Sequence, residues 1–245
     1  MILFGVNFNA YYFILFGKLK KAFGMEEVRW YLIIVLAATA IIFVTLLGTY
    51  APFEALTHSA FQVATIITTT GFATADFDQW SSLAKTVLVL LMFVGACAGS
   101  TGGGIKVSRI IVFFKSAFRE IGSYIHPRSV NRIKVEGRPV EHEAVRSINV
   151  YLTTYMVIFC LSILLISIEG KDVVTSFTSV AATINNIGPG LEAVGPTCNF
   201  GGLTIFSKWV LSFAKLAGRL EIFPMLMIFH PTLWKDGFFS RKKEQ

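Results

Sequence analysis

The sequence predicts an all-α membrane protein that contains two copies of a unit made of a helix, a short re-entrant helix and a second helix. Three observations support this fold class. The 245 residues are 54% hydrophobic and 15% charged, whereas soluble domains carry about 25% charged residues. The apolar residues occur in blocks, and several blocks are close in length to the roughly 20 residues that a helix needs to cross a bilayer. The same order of blocks also occurs twice along the chain.

Six apolar segments make up most of the chain. Three are long enough to span a bilayer, namely residues 30–47, 83–118 and 148–168. The segment 83–118 contains a glycine cluster. A fourth long segment, 203–229, contains four charged residues, Lys208, Lys215, Arg219 and Glu221. The remaining two, 53–67 and 173–184, are too short to cross and have about the length of re-entrant helices.

The charged residues indicate the orientation of the chain. Basic residues are concentrated at 18–29, at 106–146 and at the C-terminus, whereas the intervening connectors contain Asp76, Asp78 and Glu192. By the positive-inside rule, the basic connectors are cytoplasmic and the acidic ones lie outside. Because orientation already accounts for the net charge of +7, we do not expect nucleic acid as a partner.

The two units match each other residue by residue around their short segments. Ser59, Val63 and Ala64 precede Gly71 at the same offsets at which Ser176, Val180 and Ala181 precede Gly188. Both units keep the same orientation, so an axis along the membrane normal should relate them. We expect Gly71 and Gly188 to end the short helices. The chain must then return to the surface in a non-helical form, which is tolerated at membrane depth only inside protein or beside water.

The return segments have the composition of an ion site. Glycine permits backbone angles that turn carbonyls toward one axis, and converging carbonyls can replace the hydration shell of an ion. The partially negative C-terminal end of each short helix also favours a cation, and we expect hydroxyl and amide oxygens to add acceptors. The alternative is that both segments are only helix C-caps. The predicted ion-binding residues are Thr68, Thr69, Thr70, Gly71, Phe72, Asn185, Asn186, Ile187, Gly188 and Pro189.

A glycine cluster interrupts the segment 83–118. It consists of Gly99, Ser100, Thr101, Gly102, Gly103 and Gly104. A phosphate-binding loop would need a lysine at position 105 and a preceding strand, but Ile105 occupies that position and the preceding residues are typical of a membrane helix. Backbone groups freed by the glycines must face a pore or its water, unless the cluster serves only close helix packing.

Arg219 lies well inside the last apolar segment. An arginine at the centre of a membrane helix costs about 2.5 to 3.5 kcal/mol on insertion scales, so it is not expected to face lipid. It either pairs with Glu221 or a loop carbonyl, or presents its charge to a pore as an electrostatic barrier.

Four motifs together resemble the C-terminal half of the Trk/Ktr/HKT superfamily of potassium transporters, and in particular the bacterial TrkH type. They are TTTGF at 68–72, GACAGSTGGGIK at 95–106, ATINNIGPG at 182–190 and GRLEIFP at 218–224, and the resemblance covers essentially the whole chain. It implies a multi-pass protein of the bacterial inner (plasma) membrane with potassium as the transported ion at the filter residues and no covalent cofactor. It also implies four units around one pore, with residues 99–104 forming an intramembrane gate next to Arg219.

On this resemblance the chain holds half of a pseudo-fourfold pore. Residues 1–24 end the second helix of a preceding unit and form a basic connector, residues 25–125 form the third unit, residues 126–145 form a cytoplasmic basic connector, and residues 146–245 form the fourth unit with a basic C-terminus. Completing the ring needs the missing N-terminal half or a second copy. Truncation of a longer transporter is the favoured interpretation.

The resemblance also implies partners. They are a cytoplasmic nucleotide-binding ring protein and, in the full-length form, a second copy in a homodimer. The basic stretch 118–146 suits either the ring protein or anionic membrane lipid. We do not expect an enzyme, since the sequence lacks a convergent nucleophile, base or metal cluster. The predicted function is potassium uptake, and the alternative is a non-conducting membrane scaffold or assembly subunit.

Overall fold

The computed structural model describes residues 1–125, 132–219 and 222–228, and these residues are mostly helical, with almost no strand. The elements are α1 (Phe8–Leu15), α2 (Leu19–Gly24), α3 (Glu26–Leu46), α4 (Pro52–Ile67), α5 (Ser82–Phe93), α6 (Val107–Ile125), β1 (Lys134–Val135), β2 (Arg138–Pro139), α7 (His142–Ser167), α8 (Val173–Ile184), α9 (Ile205–Arg219) and α10 (Ile222–Ile228).

Local sequence signals set the helix starts. Pro52 occupies the first position of α4, where its missing N–H costs nothing. Ser81 caps α5 by accepting a hydrogen bond from the Ala84 amide at 3.3 Å, and Asp172 caps α8 through the Thr175 amide at 2.8 Å. Such side chains satisfy amides that have no partner inside the helix.

The long helices follow the predicted spans. Within the described residues, α3 and α7 are long and apolar enough to cross a membrane, with 21 and 26 residues and mean hydropathies of 2.1 and 2.2. The predicted segment 83–118 is divided by a loop at 94–106, as its glycines indicate. The segment 203–229 is divided between α9 and α10.

The two units have the same internal packing. In the first, α3, α4 and α5 contact one another, and in the second α7, α8 and α9 do so. Contacts of α5 with α8 and of α6 with α7 join the units. One continuous apolar core therefore runs through both, and its largest members include Tyr31, Ile66, Leu88, Tyr155 and Ile184.

Two connecting regions differ from the sequence prediction. Residues 1–24, predicted as the end of one helix and a connector, contain two short helices, α1 and α2, preceded by a 3₁₀ turn that ends at Gly5. The connector predicted at 126–145 begins where α6 ends, at Ile125, but it is shorter than predicted because α7 already begins at His142. Between the two helices, β1 and β2 form a hairpin. Residues 126–131 lie outside the described part of the chain.

Candidate functional site

The two return segments, residues 68–72 and 185–189, leave their helices along the same backbone path. The Thr70 amide donates to the Thr65 carbonyl at 2.8 Å, and 117 residues later the Ile187 amide donates to the Ala182 carbonyl at 2.8 Å. Both helices thus end in the same C-terminal hydrogen-bond pattern, in which an amide reaches back five residues. The backbone confirms the repeat at atomic detail.

The glycines do not end the helices, contrary to the sequence prediction. The left-handed cap positions belong to Thr69, with φ of 53°, and Asn186, with φ of 58°. Gly71 and Gly188 follow two residues later, with φ of 83° and 119°. A left-handed conformation is unusual for a β-branched residue and costs of order 1–3 kcal/mol, which is typical of functional sites. The segments are helix caps, and they continue beyond the cap into glycine conformations.

The two return segments lie against each other. A Cβ placed on Gly71 would be 2.0 Å from the carbonyl oxygen of Ile187, and a Cβ placed on Gly188 would be 4.0 Å from the Cα of Gly71. A side chain at Gly71 would therefore clash with the other segment, whereas Gly188 is in ordinary contact distance of it. The two helix C-termini, with their partial negative charge, converge on this contact.

Several polar side chains of the return segments are engaged within the protein. The hydroxyl of Thr68 donates to a carbonyl of α4 at 2.6 Å and lies 2.8 Å from the hydroxyl of Thr70. The side-chain oxygen of Asn185 accepts a hydrogen bond from the buried Tyr155 hydroxyl at 3.1 Å. In the structure the side chains of Thr68 and Asn185 are therefore held in place by partners within the protein.

The loop at 94–106, hereafter the glycine loop, contacts both return segments. The amide of Gly103 donates to the Thr69 hydroxyl oxygen at 2.8 Å, and a Cβ on Gly103 would lie 3.0 Å from the Asn185 carbonyl oxygen. A Cβ on Gly104, whose φ is 68°, would lie 3.2 Å from the Asn185 side-chain oxygen. The loop is therefore packed where α4 and α8 end.

A cavity of about 410 Å³ adjoins the glycine loop. Its wall includes loop residues 100–104 and three cationic side chains, those of Lys106, Arg109 and Arg219. Lys106 donates to the Gly102 carbonyl, and the Arg109 guanidinium stacks over the Tyr151 ring at 4.1 Å from its centroid. Of the predicted gate residues, all except Gly99 line this cavity. Glu221, the possible partner of Arg219, lies outside the described residues.

Comparison with known proteins gives the family. A family model described as TrkH, cation transport protein, matches residues 13–241. The chain belongs to the TrkH family. It is 34% identical over 242 residues to the Trk system potassium uptake protein TrkH of Salmonella typhimurium (strain LT2), covering 96% of this chain and 49% of that protein. It is 33% identical over 241 residues to the Trk system potassium uptake protein TrkG of Escherichia coli (strain K12), with the same coverage.

The structure is similar to a solved member of the TrkH family. It matches the crystal structure of the potassium transporter TrkH from Vibrio parahaemolyticus with a TM-score of 0.85 and 35% identity, over 95% of this chain and 51% of that one. The chain therefore spans about half the length of the relatives it matches. The predicted helical membrane fold and the predicted resemblance are confirmed.

In this TrkH-family chain, sequence reasoning missed three residues around the site. Tyr155 supports the second return segment, and its signal was a hydroxyl in the middle of an apolar span, where tyrosine usually needs a partner. Lys106 and Arg109 line the cavity below the glycine loop. Their signal was two charges three residues apart, directly after the glycines and at the start of an apolar helix.

Proposed function

We propose that the chain forms two of the four units of a potassium-conducting pore in a bacterial inner membrane, as part of a Trk-type uptake system. The observation that carries this proposal is the direct contact of two glycine segments that follow the same backbone path, 117 residues apart. A scaffold would need neither the matched conformations nor a glycine at both positions.

In this proposal the backbone carbonyls of residues 68–72 and 185–189 bind the dehydrated ion. Peptide oxygens carry partial charge only, so a monovalent ion can bind and leave, whereas carboxylates would favour divalent ions. The C-terminal ends of α4 and α8 add about half an elementary negative charge each near this point. The side chains of Thr68 and Asn185 act indirectly, by holding the carbonyls in place.

The glycine loop acts as the gate. It lies directly below both return segments, and the Gly103 amide is bonded to the filter residue Thr69. Below it, Lys106, Arg109 and Arg219 surround the cavity through which an ion would leave. The charge of Arg219 raises the potential there, since a unit charge about 8 Å away contributes about 2 kcal/mol at an effective dielectric constant of 20.

Residues 25–125 and 146–245 serve as the third and fourth units, so conduction needs two further units. The two further units come either from a preceding half of a longer polypeptide, which residues 1–24 would follow, or from a second copy of this chain. The basic stretch 118–146 docks a cytoplasmic nucleotide-binding ring protein or anionic lipid. The complete transporter is a homodimer.

The test is rubidium uptake by a bacterial host that lacks its own potassium uptake systems. The chain is expressed alone and joined to the N-terminal half of the similar Vibrio parahaemolyticus TrkH. We expect saturable uptake, preferring potassium and rubidium to sodium, from the joined protein, whereas uptake by the chain alone would mean that a second copy supplies the other two units. A joined protein that inserts in normal amounts and conducts nothing would contradict the proposal and favour the scaffold.

A further inference from the structure

Glu27 differs from every other charged residue that the structure describes. It is the only one that is buried, with 5% of its surface exposed. It lies in the first turn of α3, next to Glu26, which is paired with Lys115 near the surface. Burying a carboxylate is expensive unless it is fully hydrogen-bonded, so its partners explain its position.

The carboxylate of Glu27 binds both flanks of the glycine cluster. Its Oε1 atom accepts hydrogen bonds from the Ala98 amide at 2.6 Å and from the Ser108 amide at 3.2 Å. Ala98 immediately precedes the cluster, and Ser108 lies in the first turn of α6, just after the loop. The Oε2 atom accepts from the Asn7 side-chain amide at 3.2 Å. Hydrogen bonds to an ionised acceptor are about twice as strong as neutral ones.

The positions of these bonds matter because the two sides of the glycine loop have different neighbours. The first side is attached to the N-terminal segment: the Cys97 amide donates to Gly5 at 3.0 Å, and the Phe8 amide donates to Gly99 at 3.2 Å. The second side, at Gly103, contacts the return segments. Glu27 bridges the two sides at their base, where the Gly95 amide also donates to the Ile105 carbonyl at 2.7 Å and the Val107 amide donates to the Ala96 carbonyl at 3.2 Å.

We propose that Glu27 is a positioning residue of the gate, which holds the glycine loop in place below the return segments. The gating role of Glu27 rests on the proposed function, whereas its contacts with the glycine loop do not. Its two bonds from one oxygen add to these backbone bonds and hold Ala98 and Ser108 to a single atom. When they weaken, the loop can move while the return segments, which Glu27 does not contact, keep their conformation.

Glu27→Gln weakens the attachment while preserving shape. The glutamine amide oxygen can still accept from one side, but its charge is gone, and its NH₂ group would face the donor NH₂ of Asn7. Glu26→Gln is the matched control, since it removes a carboxylate from the same helical turn and breaks the ion pair with Lys115 at 2.6 Å. Glu26 makes no hydrogen bond to the glycine loop among the described contacts.

The native thiol of Cys97 reports loop position without any transport measurement. It is buried within the glycine loop, whereas Cys160 and Cys198 are exposed and are replaced by serine in all variants. In the complete protein in membranes, we expect Glu27→Gln to raise the rate of Cys97 modification by a small methanethiosulfonate reagent about tenfold, as local opening becomes less costly. Glu26→Gln should leave the rate unchanged.

Ion flux is measured on the same samples. Glu27→Gln should raise rubidium influx severalfold with unchanged selectivity over sodium, because the filter is untouched. If Cys97 is labelled no faster in Glu27→Gln than in Glu26→Gln, the proposal is wrong. If labelling rises but no variant conducts, the attachment is real and the proposed function fails instead. Should Glu27→Gln not insert, Glu27→Asp keeps the charge but is too short to reach both amides, and the same comparison applies.

Discussion

Substituting Gly71 by alanine tests whether the two return segments form one ion site. The new Cβ would lie 2.0 Å from the Ile187 carbonyl oxygen, whereas real Cβ atoms essentially never approach closer than 3.0 Å. One of the two groups must therefore move by about 1 Å, the difference between these distances. The φ of 83° adds about 1–3 kcal/mol of strain for a residue with a Cβ.

The clash displaces a group in the other unit, so one substitution damages the ligands that both units supply. If the filter rearranges to relieve this strain, the loss of potassium flux should be about five- to 150-fold, at 1.36 kcal/mol per factor of ten. Gly188→Ala is a graded comparison, since φ is 119° there but the nearest atom is 4.0 Å away. Gly188→Ala therefore introduces the backbone strain without the steric clash, and it should reduce potassium flux less than Gly71→Ala does.

The assay is rubidium and sodium influx into proteoliposomes that contain the chain joined to two preceding units, normalised to the amount of inserted protein. Gly48→Ala serves as the control, because a Cβ at Gly48 meets nothing within 4 Å. We expect the control to conduct normally and Gly71→Ala to lose both flux and selectivity. A folded Gly71→Ala protein that conducts as well as the control refutes the reasoning.

Three further predictions follow from other contacts. Arg219→Ala removes one of the charges around the lower cavity, so single-channel conductance in planar bilayers should rise severalfold, and a fall at normal expression would argue against a barrier. Gly218→Ala places a Cβ 1.6 Å from the Ile184 carbonyl oxygen, so it should prevent α9 from packing on α8 and remove folded protein from the membrane fraction; normal yield would speak against this packing. A hydrogen bond from Ser207 lowers the pKa of Glu169 below its usual 4.5. The resulting stability is fully present above pH 4.5 and is lost as the pH falls through the lowered pKa, so the melting temperature of the wild type should decrease as the solution is acidified below pH 4.5. Glu169→Gln should melt lower at neutral pH and converge with the wild type in acid, and a constant difference would contradict this linkage. The effect is small because the carboxylate is near solvent.

The parts of the fold that depend on local chemistry could be predicted from the sequence. The short segment 173–184 coincides with α8, and 53–67 differs from α4 by one residue, because Asp172 and Pro52 are strong start signals. The pairing of Gly71 with Gly188 followed from their equal offsets in the two units. These features need only a few neighbouring residues to be recognised.

The parts that depend on distant contacts could not be predicted. Thr69 takes a left-handed position that sequence rules assign to glycine or asparagine, and the Gly103 amide, 34 residues along the chain, bonds to it. Glu26 and Glu27 are adjacent in the sequence, and only the fold decides that the second is buried. Its partners are 71 and 81 residues away, beyond any local pattern.

The most direct test of the ion site is to locate the ion itself. The chain joined to two preceding units would be crystallised in rubidium, and the anomalous scattering would be measured. We expect a peak within coordination distance of backbone carbonyls from both residues 68–72 and residues 185–189. An ion peak elsewhere in the membrane region, with none between these two segments, would contradict the account.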